Sequence, residues 1–285
     1  MHVPDGFIDL PVSIATGAIA VAGVSVCLRG ARRELDDRTA PLAGLVASFI
    51  FAVQMLNFPV AAGTSGHLLG GTLAAMLVGP YTGALCVAVV LLVQGLFFAD
   101  GGLTALGTNI TDMSLVTVIV GYTVVRLLIA VLPKTRTSLL VAGFVGALLS
   151  VIGAAVTFTA IYAVGGTTNV PLGTVATAMI GVHVLIGIGE AVITTATVAS
   201  IIAVRPDLVR VARHLQPVLT LRPAADRAGL AGRTDLAGRT DSVDLSDSVD
   251  LSEPADSYPA SSYSAGSHSA DRVDRDPFVP TGAER

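Results

Sequence analysis

Charge is what this sequence has least of. Only 13% of its 285 residues are Asp, Glu, Lys or Arg, while 52% are hydrophobic, and the mean hydropathy is +0.74. Soluble domains carry about 25% charged residues, so the composition excludes an ordinary soluble protein and indicates an integral membrane protein. Cysteine is scarce too. Two residues, Cys27 and Cys86, cannot build a disulfide framework or a thiolate metal site, and both lie in apolar runs as small buried hydrophobes. Catalytic signatures are missing: there is no Walker loop, no nucleophile elbow and no His-Glu-x-x-His. The chain therefore reads as no enzyme, and any ATP hydrolysis belongs to another polypeptide. No basic excess offers a surface for nucleic acid. No Lys or Arg precedes the first apolar run, where a secretory signal carries its cationic region, and Asp5 and Asp9 stand there instead. The start of the chain is thus expected to persist in the mature protein, with the bulky His2 protecting Met1 from removal.

The few charges are segregated. Residues 1–204 hold 7 of the 17 Lys and Arg and 8 of the 21 Asp and Glu; residues 205–285 hold the rest. This divides the chain into a transmembrane domain, 1–204, and a polar tail, 205–285. The tail carries duplicated Leu-Ala-Gly-Arg-Thr-Asp and Ser-Val-Asp-Leu-Ser motifs, is rich in Ser, Asp, Gly and Pro, and is expected to remain disordered on the cytoplasmic side. Its first basic stretch, to about Arg222, is expected to lie on the inner membrane surface.

Seven apolar segments are legible before the tail: Ile8–Leu28, Pro41–Phe58, His67–Val78, Tyr81–Ala99, Asp112–Leu132, Leu139–Val164 and Val175–Val204. Most reach the ~20 residues of a helical membrane span, but the third extends only about 20 Å against a ~30 Å hydrocarbon core. If all seven cross, Arg29, Arg32, Arg33, Arg38, Lys134, Arg136, Arg205, Arg210 and Arg213 fall on one side, with Arg126 snorkelling toward it. Met1–Phe7, Pro59–Gly66, Asp100–Thr111 and Gly165–Thr174, on the other side, have no Lys or Arg. The positive-inside rule then predicts an all-α bundle of seven transmembrane helices in the cell membrane, amino terminus outside and carboxyl terminus inside. In the third segment Gly66, Gly70 and Ala74, with Gly71 and Ala75 beside them, form rows of small residues suited to close helix packing. The Gly-rich outer loops around Gly63–Gly66 and Gly101–Asn109 read as tightly folded backbone walling a pocket.

The candidate chemistry lies at the amino terminus. A free α-amine, the amide nitrogen of His2 and its imidazole can close two fused chelate rings, leaving one in-plane position for a fourth donor. That planar nitrogen set suits Ni(II) or Cu(II), with Co(II) less constrained, and His67 is the candidate fourth ligand. Asn57, Gln54, Thr64, Ser65 and Asn109 are polar residues available to support the ligands, and Asp5 either neutralises the site or caps a turn. Asp112 is expected to cap the fifth helix. His183 and Glu190, seven residues apart on one face of the last helix, are ionisable groups in mid-span. For Glu190 three roles stay open: a transient cation site, a hydrogen-bond partner that locks helices, or a contact for another protein. His214 and His268 lie in the tail without partners.

Four blocks carry a resemblance. Met1-His2-Val3-Pro4-Asp5-Gly6-Phe7, Asn57-Phe58-Pro59 with Gly63-Thr64-Ser65-Gly66-His67-Leu68-Leu69-Gly70-Gly71, Asp100-Gly101-Gly102-Leu103-Thr104-Ala105-Leu106-Gly107 with Asn109, and His183 with Ile186-Gly187-Ile188-Gly189-Glu190-Ala191 occur in that order. Over residues 1–204 they resemble the CbiM/NikM family, substrate-binding membrane components of prokaryotic energy-coupling-factor importers for cobalt and nickel. The resemblance implies a transported Co2+ or Ni2+, with no permanent cofactor, bound by the Met1 amine, the His2 amide and Nδ1, and the His67 imidazole. It also implies a transmembrane coupling subunit, a pair of cytoplasmic ATPases and, in many systems, a small accessory membrane subunit. A different expectation is a self-sufficient cation channel or proton-coupled carrier that uses His183 and Glu190 as an intramembrane relay.

Overall fold

The computed structural model describes residues 1–37, 39–59 and 65–215. Within these, five helices are long and apolar enough to cross a membrane: α1 (Leu10–Ala31), α4 (Pro80–Phe97), α5 (Leu106–Val131), α6 (Arg136–Gly165) and α7 (Leu172–Val204). Two further helices are shorter, α2 (Thr39–Gln54, 16 residues) and α3 (Gly71–Val78, 8 residues). The two-residue strands β1 (Phe58–Pro59) and β2 (Ser65–Gly66) pair antiparallel before α3. Local chemistry sets several of the ends. Asp9 caps α1 by accepting the Val12 N–H at 2.9 Å, with Pro11 inside the first turn, where it has no N–H to waste. Thr135 caps α6 by accepting from the Ser138 N–H at 3.1 Å.

The third apolar segment departs most from its sequence reading. Its helix begins at Gly71 rather than His67, because Gly70 (φ 77°) turns the chain in the left-handed region. Eight residues rise only about 12 Å, well short of a hydrocarbon core. Gly66 and Gly70 therefore lie outside the helix, and the row they were expected to form with Ala74 does not exist. Close packing is nevertheless real: every residue of α3 is buried, at the centre of the bundle against α4, α5 and α6. A Cβ on Gly83 would stand 2.8 Å from the Ala75 nitrogen, so α4 meets the backbone of α3 directly.

The fifth segment also begins earlier than expected, at Leu106 instead of Asp112, and residues 110–116 within it are π-helical. Tertiary partners override the turn-like composition there. Thr108 Oγ1 lies 2.7 Å from Thr16 Oγ1 on α1, and Thr111 Oγ1 donates to the Thr16 carbonyl at 2.9 Å. Asp112 is thus inside a helix and caps nothing. Both of its carboxylate oxygens are buried without a hydrogen-bond partner among the described residues.

Beyond α7, residues 206–208 and 210–215 form 3-10 turns; Val209 between them and Val211 and Ala212 in the second are buried, and Arg210 Nη1 donates to the Glu34 carbonyl at 3.3 Å. The remainder of the expected disordered tail, with its repeats and His268, lies outside the described residues, as does the side chain of His214.

Backbone contact between α3 and α4 makes a specific demand. Replacing Gly83 by Ala is expected to destabilise the detergent-solubilised protein by about 1–3 kcal/mol, because neither backbone can move aside. Gly44→Ala on α2, where an added Cβ meets nothing within 4 Å, is expected to be neutral or stabilising by up to about 1 kcal/mol. Thermal unfolding of both variants in one detergent checks the pair.

Candidate metal centre

The first nine residues have almost no regular structure, yet Met1, His2 and Val3 are buried, each no more than 4% exposed. Irregular backbone in an apolar interior must find partners for each N–H and C=O. Asn109 meets this need at Val3: its Oδ1 accepts the Val3 N–H at 2.8 Å while its Nδ2 donates to the Val3 carbonyl at 3.3 Å. The Gly102 N–H reaches the same carbonyl at 2.8 Å. Asp5 Oδ1 accepts from the Thr104 N–H at 2.8 Å and the Thr104 hydroxyl at 2.6 Å. A Cβ on Gly102 would stand 2.7 Å from the Pro4 carbonyl carbon, so the Gly-Gly loop lies directly on the heptapeptide. At the far end Phe7 packs on Phe158 and Tyr162, ring centroids 6.0 and 5.4 Å apart, and Asp9 N–H donates to the Gly165 carbonyl at 2.7 Å. The chain start is stitched to the 100–109 region and to the end of α6.

His67 arrives from a different direction. It lies in the extended stretch between β2 and α3, fully buried. Its main chain is held downstream by Gln54 Nε2, which donates to the Leu69 carbonyl at 2.8 Å, and by Glu190, whose two carboxylate oxygens accept the Leu69 and Gly70 N–H groups at 2.6 and 3.0 Å. Glu190 thereby satisfies backbone donors at the start of α3, the lock between helices that was one of its three open roles.

These two attachments bring the imidazoles of His2 and His67 together, stacked with centroids 4.5 Å apart and planes inclined 29°. His67 Nδ1 is 2.8 Å from the Leu68 carbonyl. A carbonyl can only accept, so Nδ1 carries the proton and Nε2 presents a lone pair, with no hydrogen-bond partner among the described residues. His2 Nδ1 lies 3.0 Å from Asp100 Oδ1 without hydrogen-bond geometry, and His2 Nε2 is unpartnered as well. Asp100 Oδ2 in turn accepts from Asn57 Nδ2 at 3.2 Å.

Burial controls the protonation of these groups. Desolvation lowers the Met1 amine from its ordinary value near 8.0 to about 5, against the opposing charges of Asp112 and Asp100. It also lowers His2, opposed mainly by Asp100. The nearby His2 ring in turn holds Asp100 below the usual carboxylate range. At neutral pH the site is therefore a set of neutral nitrogen donors with a carboxylate at its rim, the form in which nitrogens bind transition metals. Among the described residues no three His, Cys, Asp or Glu side chains group at metal-binding spacing.

Of the residues singled out in the sequence, Met1, His2 and His67 meet. Asn109 and Asn57 serve them at one remove, through Val3 and Asp100, and Gln54 holds Leu69. Thr64 and the side chain of Ser65 lie outside the described residues. His183 is fully buried on α7, its Nδ1 2.7 Å from the Met179 carbonyl and its Nε2 unpartnered. Three side chains at the site were not singled out for it: Asp100, Asp112 and Gln94, whose amide is buried with both polar atoms unpartnered. For Gln94 and Asp112 the available signal was a polar side chain within an apolar run.

Comparison with known proteins gives a consistent picture. The family model described as "Cobalt uptake substrate-specific transmembrane region" matches residues 2–208. A protein of Archaeoglobus fulgidus described as a putative fused nickel transport protein is 42% identical over 210 residues, covering 73% of this chain and 68% of that protein. A cobalt transport protein of Sorangium cellulosum is 33% identical over 215 residues, covering 73% and 94%. Two crystal structures of transition metal transporters superpose with TM-scores of 0.63 and 0.64 at 29% and 28% identity, covering 71% and 76% of this chain and 99% and 100% of theirs.

The lowered amine has a consequence for stability. An unfolded chain binds a proton at the amine that the folded chain does not, over the interval from about 8 down to about 5. Stability is therefore expected to rise with pH through that interval and to have lost this contribution below it. Thermal unfolding in detergent from pH 4.5 to 8.5 checks the sign; an amino-terminally acetylated chain is expected to show a shallower rise.

Proposed function

The chain belongs to the CbiM family of cobalt-uptake transmembrane proteins, a multi-pass metal transport component, and from that premise we propose that it captures Co2+ or Ni2+ as the substrate-binding membrane subunit of an ATP-driven energy-coupling-factor importer. In this reading all seven apolar segments belong to the bundle, with the amino terminus outside and the carboxyl terminus inside. Coupling and ATP hydrolysis belong to a separate transmembrane subunit and a pair of cytoplasmic ATPases, with room for a small accessory membrane subunit. The ion is bound by the Met1 amine, the His2 amide nitrogen and Nδ1, and His67 Nε2.

The observation that carries this reading is the burial of a chain start beside two stacked imidazoles, whose Nε2 atoms have no hydrogen-bond partner among the described residues. Buried nitrogen donors on a braced backbone lower the reorganisation needed to bind a metal. His67 Nε2 is already the lone-pair nitrogen. His2 Nδ1 has to turn from Asp100 about the Cβ–Cγ bond to join the chelate. Asp100 then stands ready to accept the proton on Nε2, the carboxylate–histidine–metal arrangement that orients many ligating imidazoles. Glu190, committed to the Leu69 and Gly70 N–H groups, braces the His67 segment in this scheme, which weighs against the self-sufficient carrier that would use it as a relay.

The test is at the amino terminus. Adding one residue before Met1, or acetylating its amine, removes a donor while leaving every side chain in place. Ni2+ and Co2+ affinity, measured by isothermal titration in detergent, is expected to fall more than about 100-fold, beyond the 10–100-fold typical of changes behind the ligands. Full affinity in the extended chain sinks the ligand set, and metal uptake into vesicles by this chain alone supports the carrier instead. Affinity is also expected to weaken as pH falls. Between pH 6 and 8 the slope should be about one proton per ion, from the amide, and it should steepen near pH 5, where the amine takes up its proton.

A further inference from the structure

Asp112 is a buried carboxylate that the scheme above leaves without a task. It is 1% exposed, and neither oxygen has a hydrogen-bond partner among the described residues. Glu190, equally buried, uses both oxygens. An unpaired buried carboxylate is among the costliest groups a protein interior can hold, so its place calls for a positive or hydrogen-donating partner. Asp112 lies in the π-helical stretch 110–116, one turn beyond Asn109, the residue that grips Val3. The widened turn is a departure from regular helix of the kind that re-aims side chains at functional sites. Of the two carboxylates that oppose the loss of the Met1 amine's proton, Asp112 has the larger effect and Asp100 the smaller. That amine, buried with the rest of Met1, makes no hydrogen bond among the described residues.

We propose that Asp112 is a positioning residue for the captured ion, its carboxylate accepting the N–H groups of the metal-bound Met1 amine and balancing the positive charge that the ion brings into the protein. This rests on the ligand set proposed above. A primary amine that binds a metal keeps two hydrogens, made stronger donors by the ion, and they need acceptors where no water reaches. The charges add in the same sense. A divalent ion held by one deprotonated amide, a neutral amine and two neutral imidazoles leaves one positive unit, and one carboxylate cancels it. Asp100 has a different duty at the His2 imidazole and is partly exposed at the rim. The inward carboxylate thus distinguishes a divalent transition-metal ion, which supplies the missing charge, from a neutral solute, which does not.

The full chain in detergent tests this with Asp112→Asn and Asp112→Leu. Ni2+ and Co2+ affinity is read by isothermal titration, the donor set by the d–d absorption of bound Ni2+, and the fold by thermal unfolding without added metal. Asn keeps one acceptor and removes the charge; Leu removes both. The expected result is an Asp112→Asn protein that melts at or above the wild-type temperature without metal, because a neutral amide is cheaper to bury. It binds either ion about 10–100-fold more weakly with the planar-nitrogen absorption unshifted, and Asp112→Leu binds more weakly again. Wild-type affinity in Asp112→Asn overturns the proposal while leaving the ligand set standing. So does a lowered melting temperature without metal that accounts for the affinity loss, because the role is then structural. A shifted absorption overturns it in favour of direct ligation by Asp112. Wild-type protein that lacks the planar-nitrogen absorption, or an amino-terminally extended chain that binds as tightly, removes the ligand set and this inference together.

Discussion

Buried backbone without regular structure has to find hydrogen-bond partners elsewhere in the fold, and two such stretches organise this protein. Met1–Phe7 and His67–Gly70 both run through the interior, where each unsatisfied N–H or C=O costs several kcal/mol. Asn109, Gly102 and Thr167 answer the first, Gln54 and Glu190 the second. Each of these partners stands on a different part of the bundle. The polar residues among the helices are therefore braces that bring two otherwise unrelated pieces of chain to within 4.5 Å between ring centroids.

The short helix α3 is a consequence of the same arrangement. A chain that spends its residues 65–70 in extended and left-handed conformations has only eight left before Gly79 and Pro80 for a helix. That helix survives because it is wholly enclosed and because α4 meets it backbone to backbone at Gly83. The site and the bundle's centre are thus mechanically continuous: α7, through Glu190, holds the entry to α3, and α3 holds α4. Movement of α7 relative to α2 would be felt at His67 through Leu69 and Gly70.

Electrostatics follows from depth. Burial strips the amine and the His2 imidazole of their protons at neutral pH, while Asp100 at the half-buried rim remains anionic. The result is a charged rim beside neutral donors, with the buried carboxylate of Asp112 lacking a hydrogen-bond partner among the described residues. A divalent cation is the solute whose charge such an arrangement completes.

Much of this was legible in the residues. The paucity of charge and the long apolar runs required membrane-spanning helices, and α1, α4, α6 and α7 lie within a few residues of their expected limits, because apolar length and Asp9 or Pro80 at a boundary are local properties. Met1, His2 and His67 were singled out as candidate donors from chelate chemistry, and the structure buries all three and stacks the two imidazoles. What tertiary contact decided was everything that depends on a partner distant in sequence. Residues 106–109 are helical, although Gly107 and Asn109 favour a turn, because Thr108 and Asn109 are held by α1 and by Val3. His67 precedes its helix because Glu190, 121 residues away in the case of its bond to Leu69, takes the backbone donors there. Asp112 is a buried carboxylate rather than a cap, since the helix starts earlier, at Leu106, and places it within a π-helical stretch. Hydrophobic length is written residue by residue, whereas hydrogen-bond satisfaction in a buried chain is a property of whatever surrounds it.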